Sequence, residues 1–290
     1  MPQSLQLLTN DYFKRPNARV VVHRMQDQDA IGLHHHDFAE LVIILSGRGI
    51  HLTEGISYPI AAGEVFVIHP GISHGYADPE KLSLINILIR TDLLREFDRE
   101  LAGLAGYHAL FTIEPALRKR QDFSSRLNLR LSEMEHLCEW VESMEREITS
   151  NDPGADFVAV AYLRLIVAAV SRQYARPFLP VERSSLRIAQ VLSHMENHYG
   201  GPVCIKDLTK VAALSERSLL RAFHDATGHA PMDYLLRLRV RRAAELLVKS
   251  NDKITTIAFA CGFEDSNYFS RQFRRIIGTT PRDYRSGVTR

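Results

Sequence analysis

Residues 19–90 form short β-rich runs broken by Gly and Pro: ARVVVHRM, ELVIILSGRG, IHLTEG, ISYPIAAGE, VFVIHPG and LSLINILIR. Runs this short and regular predict a β-sandwich or barrel. Further on, Leu127, Leu131, Met134, Cys138, Val141 and Ile148 are spaced 4, 3, 4, 3 and 7 apart, a heptad seam with Glu145 at the missing place. After the turn Asn151-Asp152-Pro153-Gly154 comes the most apolar stretch, 157–170, which reads as a buried helix. A helical hairpin with one exposed seam is a natural dimer contact. Packing of that seam against the barrel of the same chain is the other reading. The whole predicts an α+β protein. An N-terminal barrel domain spans 1–115, a helical hairpin 116–176, a linker 177–185, and an all-α domain with two helix-turn-helix units 186–290.

The last part repeats itself. Ile205, Leu208, Ala212 and Leu214 match Ile254, Ile257, Cys261 and Phe263 at an offset of 49. Leu219, Arg221, Phe223, Gly228, Pro231, Asp233 and Tyr234 match Phe269, Arg271, Phe273, Gly278, Pro281, Asp283 and Tyr284 at an offset of 50. The extra residue falls in the turn between the two blocks, so each copy is a structural unit. Each unit reads as helix, tight turn, helix. Ser215 and Asp265 are the expected N-caps of the second helices, and Gly228 and Gly278 stand where a left-handed residue stops them. This pattern matches a helix-turn-helix, whose second helix enters the major groove of DNA.

In those second helices Leu219/Phe223 and Phe269/Phe273 take the core face. The opposite face carries Arg217 and Arg221 in one copy and Ser266, Asn267 and Arg271 in the other. Arg can bond guanine O6/N7 and Asn adenine N6/N7 in bidentate fashion. Lys206, Arg274 and Arg275 are placed to contact phosphates, which position without specifying. Phe223, Phe273, Tyr234 and Tyr284 are assigned to packing. Between the units, 231–248 reads as one helix, about 27 Å long at ~1.5 Å per residue. That approaches one turn of DNA.

Composition adds one feature. The 290 residues are 45% hydrophobic and 24% charged, which excludes disordered and fibrous classes and fits roughly two domains. The net charge of +2 divides unevenly: 183–290 hold 18 Lys+Arg against 10 Asp+Glu, or +8, and 1–182 hold 18 against 24, or −6. A basic half points to a polyanionic partner. Three cysteines, Cys138, Cys204 and Cys261, lack metal-type spacing and fit a reducing compartment. The N-terminus lacks a signal-peptide pattern, and 157–170 is too short to span a membrane. The expectation is a soluble cytoplasmic protein.

The segment RVRRAAELLVKSNDKITTIAFACGFEDSNYFSRQFRRIIGTTPRDYR, at 239–285, resembles the signature of the AraC/XylS family of bacterial transcription regulators. The turn glycine, the F-x-D-x-x-Y-F block and the G-x-x-P-x-x-Y-R ending occur in order, and the similarity covers about 186–286. The resemblance implies that Arg217, Arg221, Ser266, Asn267 and Arg271 correspond to positions this family uses on DNA. Leu220 departs from it, standing where relatives often carry a polar residue.

The N-terminal half contains His34-x-His36-x3-Glu40-x6-Gly47, followed by Gly63-x5-His69-Pro70-Gly71-x2-His74. This resembles both motifs of the cupin fold, with Gln28, His69 and Asp78 as departures. In cupin enzymes the positions of His34, His36, Glu40 and His74 match the metal ligands. Three imidazoles and a carboxylate can hold a divalent ion with open positions. The other reading is a polar pocket without metal, and no cofactor or catalytic residue is expected. The same segment looks most like the sensor domains of sugar-responsive AraC/XylS members, in particular the L-rhamnose regulators. That implies an effector pocket built from His34, His36, Glu40 and His74, with Tyr58 or Asn86.

The sequence thus predicts a sequence-specific DNA-binding regulator, an activator. It is expected to act as a homodimer, to be controlled by a small molecule such as a sugar, and to engage RNA polymerase. The alternatives are a metal-dependent cupin enzyme fused to a DNA-binding module, and an architectural DNA-bending protein without a ligand.

Overall fold

The computed structural model describes residues 5–53, 55–117, 127–150, 152–176 and 184–287. They form two compact units, Met1–Ala189 and Gln190–Arg290. The linker expected at 177–185 lies outside the described residues as far as 183, and a helix begins at Ser184. Part of the expected helical middle, 118–126, also lies outside them. No described helix is long and apolar enough to cross a membrane.

The first unit is built on eight strands: β1 (Leu5–Leu7), β2 (Val20–Met25), β3 (Ile31–His36), β4 (Ala39–Thr53), β5 (Ile56–Ala61), β6 (Glu64–Ile68), β7 (His74–Ile89) and β8 (Leu127–Asn128). Its helices are α1 (Thr9–Tyr12), α2 (Thr91–Glu100), α3 (Ala105–Tyr107), α4 (Glu114–Leu117), α5 (Leu131–Thr149) and α6 (Ala155–Tyr174). A π-helical turn, His108–Ile113, separates α3 from α4. The strands belong to one sheet in the order β1-β3-β7-β4-β6-β8, with β2 added on β7 and β5 on β4.

Two strand assignments change. The runs ELVIILSGRG and IHLTEG are one strand, β4, and LSLINILIR is the second half of β7. These long strands organise the sheet. Val42 of β4 pairs with Phe66 of β6, yet the ring of Phe66 also lies 5.0 Å from that of His51. Nine residues of straight strand would separate positions 42 and 51 by about 30 Å. The strand therefore bends, and the sheet curls around an interior.

Period-2 alternation sorts the side chains. Leu41 and Ile43, Val65 and Val67, and Ile85, Ile87 and Ile89 point outward and pack under α2, α5 and α6. Val42 and Ile44, Phe66 and Ile68, and Leu82 and Leu84 point inward. Each fully buried residue of this size contributes about 1.5–3 kcal/mol. The heptad seam serves this outer core. Val141 is fully buried, Met134 and Ile148 pack against the cluster, and Leu137 and Met144 complete the face. Leu127 lies in β8 instead of the helix, and Leu131 is exposed. The outer face of the sheet needs covering, and α5 covers it.

The second unit opens within α7 (Ser184–His198) and continues through α8 (Ile205–Ala212), α9 (Glu216–Thr227), α10 (Pro231–Lys249), α11 (Ile254–Ala260), α12 (Ser266–Ile277) and α13 (Pro281–Arg285). The repeat is realised as expected. Ser215 Oγ accepts from Ser218 N and the Asp265 carboxylate from Tyr268 N. Gly228 and Gly278 end α9 and α12 at φ +72° and +92°. Phe223 and Phe273 each meet the edge of a tyrosine, Tyr234 and Tyr284, at 5.6 and 5.5 Å.

Gly47 lies in the irregular middle of β4 at φ +74°, and a Cβ there would stand 2.1 Å from the Lys81 carbonyl oxygen. Both the backbone conformation and the close approach of β7 require glycine. Gly47→Ala is expected to lower stability by about 1–3 kcal/mol or more, read by urea unfolding of the full chain. An unchanged midpoint would contradict this account of the bend.

Candidate functional site

Two sites emerge, one inside the sheet and one on the surface of the helical unit. His34 and His36 alternate on β3, Glu40 follows on β4, and His74 opens β7 opposite His34. All four are buried, none more than 7% exposed. Period-2 geometry places them on the face that also carries Val42 and Ile44.

The backbone orients each ring. His34 Nδ1 lies 3.1 Å from Gly32 O, His36 Nδ1 2.5 Å from Phe38 O and His74 Nδ1 3.1 Å from Ile72 O. A carbonyl only accepts, so each Nδ1 donates and each Nε2 is left for the pocket. His36 Nε2 stands 3.4 Å from Glu40 Oε1, and His74 Nε2 3.6 Å from Glu40 Oε2. Burial would push the Glu40 carboxyl up; the His36 and His74 imidazoles override that and hold it well below the usual carboxylate range. Burial lowers the His34 imidazole, and facing His74 adds to the effect.

The donor atoms of His36, Glu40 and His74 all lie within 4.8 Å of one another, a spacing one divalent ion can bridge. His34 is not part of that group, although its ring packs 4.2 Å from the ring of His74. His36 Nε2 and Glu40 Oε2 are buried and have no hydrogen-bond partner among the described residues. Imidazole and carboxylate donors with orphaned atoms fit the metal that the fold resemblance implies, through three ligands instead of four.

Tyr58 is buried on β5, with its hydroxyl 3.3 Å from Thr53 Oγ1. Asn86 lies opposite Val42, two pairs along the β4–β7 ladder from Glu40, and its Oδ1 is buried without a hydrogen-bond partner among the described residues. Sequence reasoning missed His51, which is 1% exposed. Its ring lies 6.0 Å from His74, 5.8 Å from Tyr58 and 5.5 Å from Tyr76. The pairing of β4 with β7 shifts register between Ile44 and Ile50. Such shifts flip the inward parity from even to odd positions. The motif GRGIHLTEG signals a turn-prone strand but does not show the flip.

On the helical unit, α9 and α12 bury Leu219, Phe223, Phe269 and Phe273 completely. Arg217, Arg221, Asn267, Arg271 and Arg274 are exposed, and Ser266 is half-buried. Lys206 is exposed on α8. Among the described residues the four arginines Arg217, Arg221, Arg271 and Arg274 make no ion pair. Arg275, by contrast, approaches Asp233 at 4.0 Å, and Asp233 also holds Arg237 at 2.8 Å. Two further basic residues of α10 are structural: Arg239 donates to Tyr199 O and Gly201 O, and Arg242 pairs with Glu196 at 2.8 Å. The exposed Leu220 lies on α9 between Arg217 and Arg221.

Comparison with known proteins agrees with this geometry. Residues 17–167 match the AraC-like ligand binding domain, and residues 208–287 match a helix-turn-helix domain. The chain is 31% identical over 284 residues to the HTH-type transcriptional activator RhaS of Klebsiella pneumoniae, covering 97% of each chain. It is 32% identical over 280 residues to RhaS of Citrobacter koseri, covering 96% of this chain and 95% of the relative. Among solved structures, an AraC-type regulator from Chromobacterium violaceum is 32% identical over 37% of this chain and 96% of its own, with a TM-score of 0.35. The DNA-binding domain of AdpA, solved with a target DNA, is 31% identical over 35% of this chain and 91% of its own, with a TM-score of 0.34. With a sensor domain and a helix-turn-helix domain in order along the chain, and full-length relatives that are activators and not enzymes, the protein belongs to the AraC family of transcriptional regulators.

Proposed function

We propose that the interior of the curled sheet binds a polyhydroxylated effector, a sugar such as L-rhamnose, and that its occupancy controls how α9 and α12 engage DNA. One observation carries the reading: His34, His36, Glu40, Tyr58 and His51 are buried inside a wall of Val42, Ile44, Ile60, Phe66 and Leu84. A polyol needs that mixture of hydrogen-bonding groups and apolar surface. The two sites then share a coupling free energy. The outcome is activation, with RNA polymerase engaged at the bound promoter. The protein works in the cytoplasm, with the DNA it reads.

On DNA, Arg217, Arg221, Ser266, Asn267 and Arg271 read base edges, and Lys206, Arg274 and Arg275 contact phosphates. Arg271→Ala is expected to weaken operator binding by about 1–3 kcal/mol while leaving the melting temperature unchanged. Arg274→Ala is expected to weaken binding to all sequences alike and to lower the salt slope by about 1. Mobility shifts across a salt series separate the two, and wild-type operator affinity in Arg271→Ala would contradict the assignment.

The regulator pairs as a homodimer through α6. With most of the α5 seam facing the core, the large exposed apolar positions of α6 are Phe157 at 78%, Leu165 at 49% and Val158 at 37%. A two-fold axis at the exposed Ala161 sets Phe157 against Leu165 of the partner subunit, four residues to either side, in an antiparallel pair. Phe157→Glu is expected to give a folded monomer by light scattering, and a persistent dimer would move the contact elsewhere.

A thermal-shift series with aldoses tests the effector reading. A sugar at about 100 times its Kd stabilises by roughly 2.7 kcal/mol. A melting temperature unmoved by every sugar would favour an architectural protein without a ligand.

A further inference from the structure

Glu40 and its two imidazole neighbours pose a problem of chemistry. With Nδ1 of His36 and His74 donating to Phe38 O and Ile72 O, each ring turns its Nε2 toward the carboxylate. Two imidazole nitrogens and a carboxylate then converge in a site that is 5% exposed or less. The contacts of 3.4 and 3.6 Å are also too long for charge-assisted hydrogen bonds, which run about 2.7–2.9 Å. They are the right length for something else. Two donors each ~2.1 Å from one ion, at a tetrahedral angle, stand ~3.4 Å apart. The carbonyl bonds at Nδ1 are the second-line contacts that fix a ligating histidine's tautomer.

Resting on the reading of this interior as the effector site, we propose that the effector is a vicinal diol that binds by chelating a divalent first-row ion held by His36 Nε2, His74 Nε2 and one oxygen of Glu40. Three protein ligands leave positions open on a four- to six-coordinate ion, and two adjacent hydroxyl oxygens fill them. His34 stays off the ion. Its Nδ1 is tied to Gly32 O, so its Nε2 is an acceptor for a further hydroxyl of the bound molecule. The responding molecules are thereby restricted to those with neighbouring hydroxyls in a chelating arrangement, and response to them requires the ion.

The test uses the full chain, stripped with a chelator and dialysed, then titrated with Mn2+ under electron paramagnetic resonance and calorimetry. One Mn2+ per chain is expected for the wild type and for His34→Gln, and none for Glu40→Gln or His36→Gln. L-Rhamnose and a panel of other aldoses are then followed by thermal shift on stripped and Mn2+-loaded wild type. A response at a concentration at least about tenfold lower in the loaded chain is expected. That comparison needs no variant, so a misfolded substitution does not blunt it. Failure of the stripped wild type to take up Mn2+, or uptake undiminished in a folded Glu40→Gln, overturns the metal site. Equal sugar response with and without Mn2+ overturns chelation and leaves the effector reading standing. Uptake of Mn2+ with no response to any sugar overturns the effector reading, and chelation with it.

Discussion

A buried carboxylate must meet positive charge or donors, because an isolated anion out of water costs several kcal/mol. Glu40 is the carboxylate that imposes this condition on the sensor unit. It lies at the start of the long strand β4, and the strands that satisfy it, β3 and β7, are the ones that close the sheet on that side. Its position ties the polar chemistry of the interior to the curl of the sheet. The bends that bring the two halves of β4 around also bring His51, Tyr58 and Tyr76 to the same chamber.

The same sheet has two incompatible faces, and period-2 alternation keeps them apart. The outer face is continuous with α2, α5 and α6 in one core, so the strands and the helical hairpin fold as parts of one unit. This is why the hairpin's seam, from Met134 to Ile148, faces the core while Leu131 at its start stays exposed. Part of the apolar surface left over lies on α6, where Phe157 and Leu165 project.

Much of the helical unit was legible in the sequence, because a duplication supplies its own control. Offsets of 49 and 50 marked which apolar positions must be equivalent, and the caps at Ser215, Asp265, Gly228 and Gly278 followed from local chemistry. Net charge was a coarser guide. It counted Arg239 and Arg242 with the exposed arginines of α9 and α12, although Arg239 holds the α7–α8 connection and Arg242 pairs with Glu196 of α7. In the sensor unit the histidine-carboxylate set was legible from i, i+2 spacing and the strand that follows. His51 was not, since a register shift has no residue signature of its own. Nor was the exclusion of His34 from the close-set triad, which depends on ring orientations set by carbonyls two residues away.

The account stands on coupling between a buried polar chamber and a pair of cationic helices in one regulator. Linkage makes that coupling reciprocal: whatever factor the effector applies to operator affinity, the operator must apply to effector affinity. The direct measurement is fluorescence anisotropy of a labelled operator with and without saturating sugar, paired with calorimetry of the sugar on free and operator-bound protein. The account predicts the same factor from both, on the order of 5–150-fold. Identical operator affinity in the presence and absence of a sugar that demonstrably binds would contradict it.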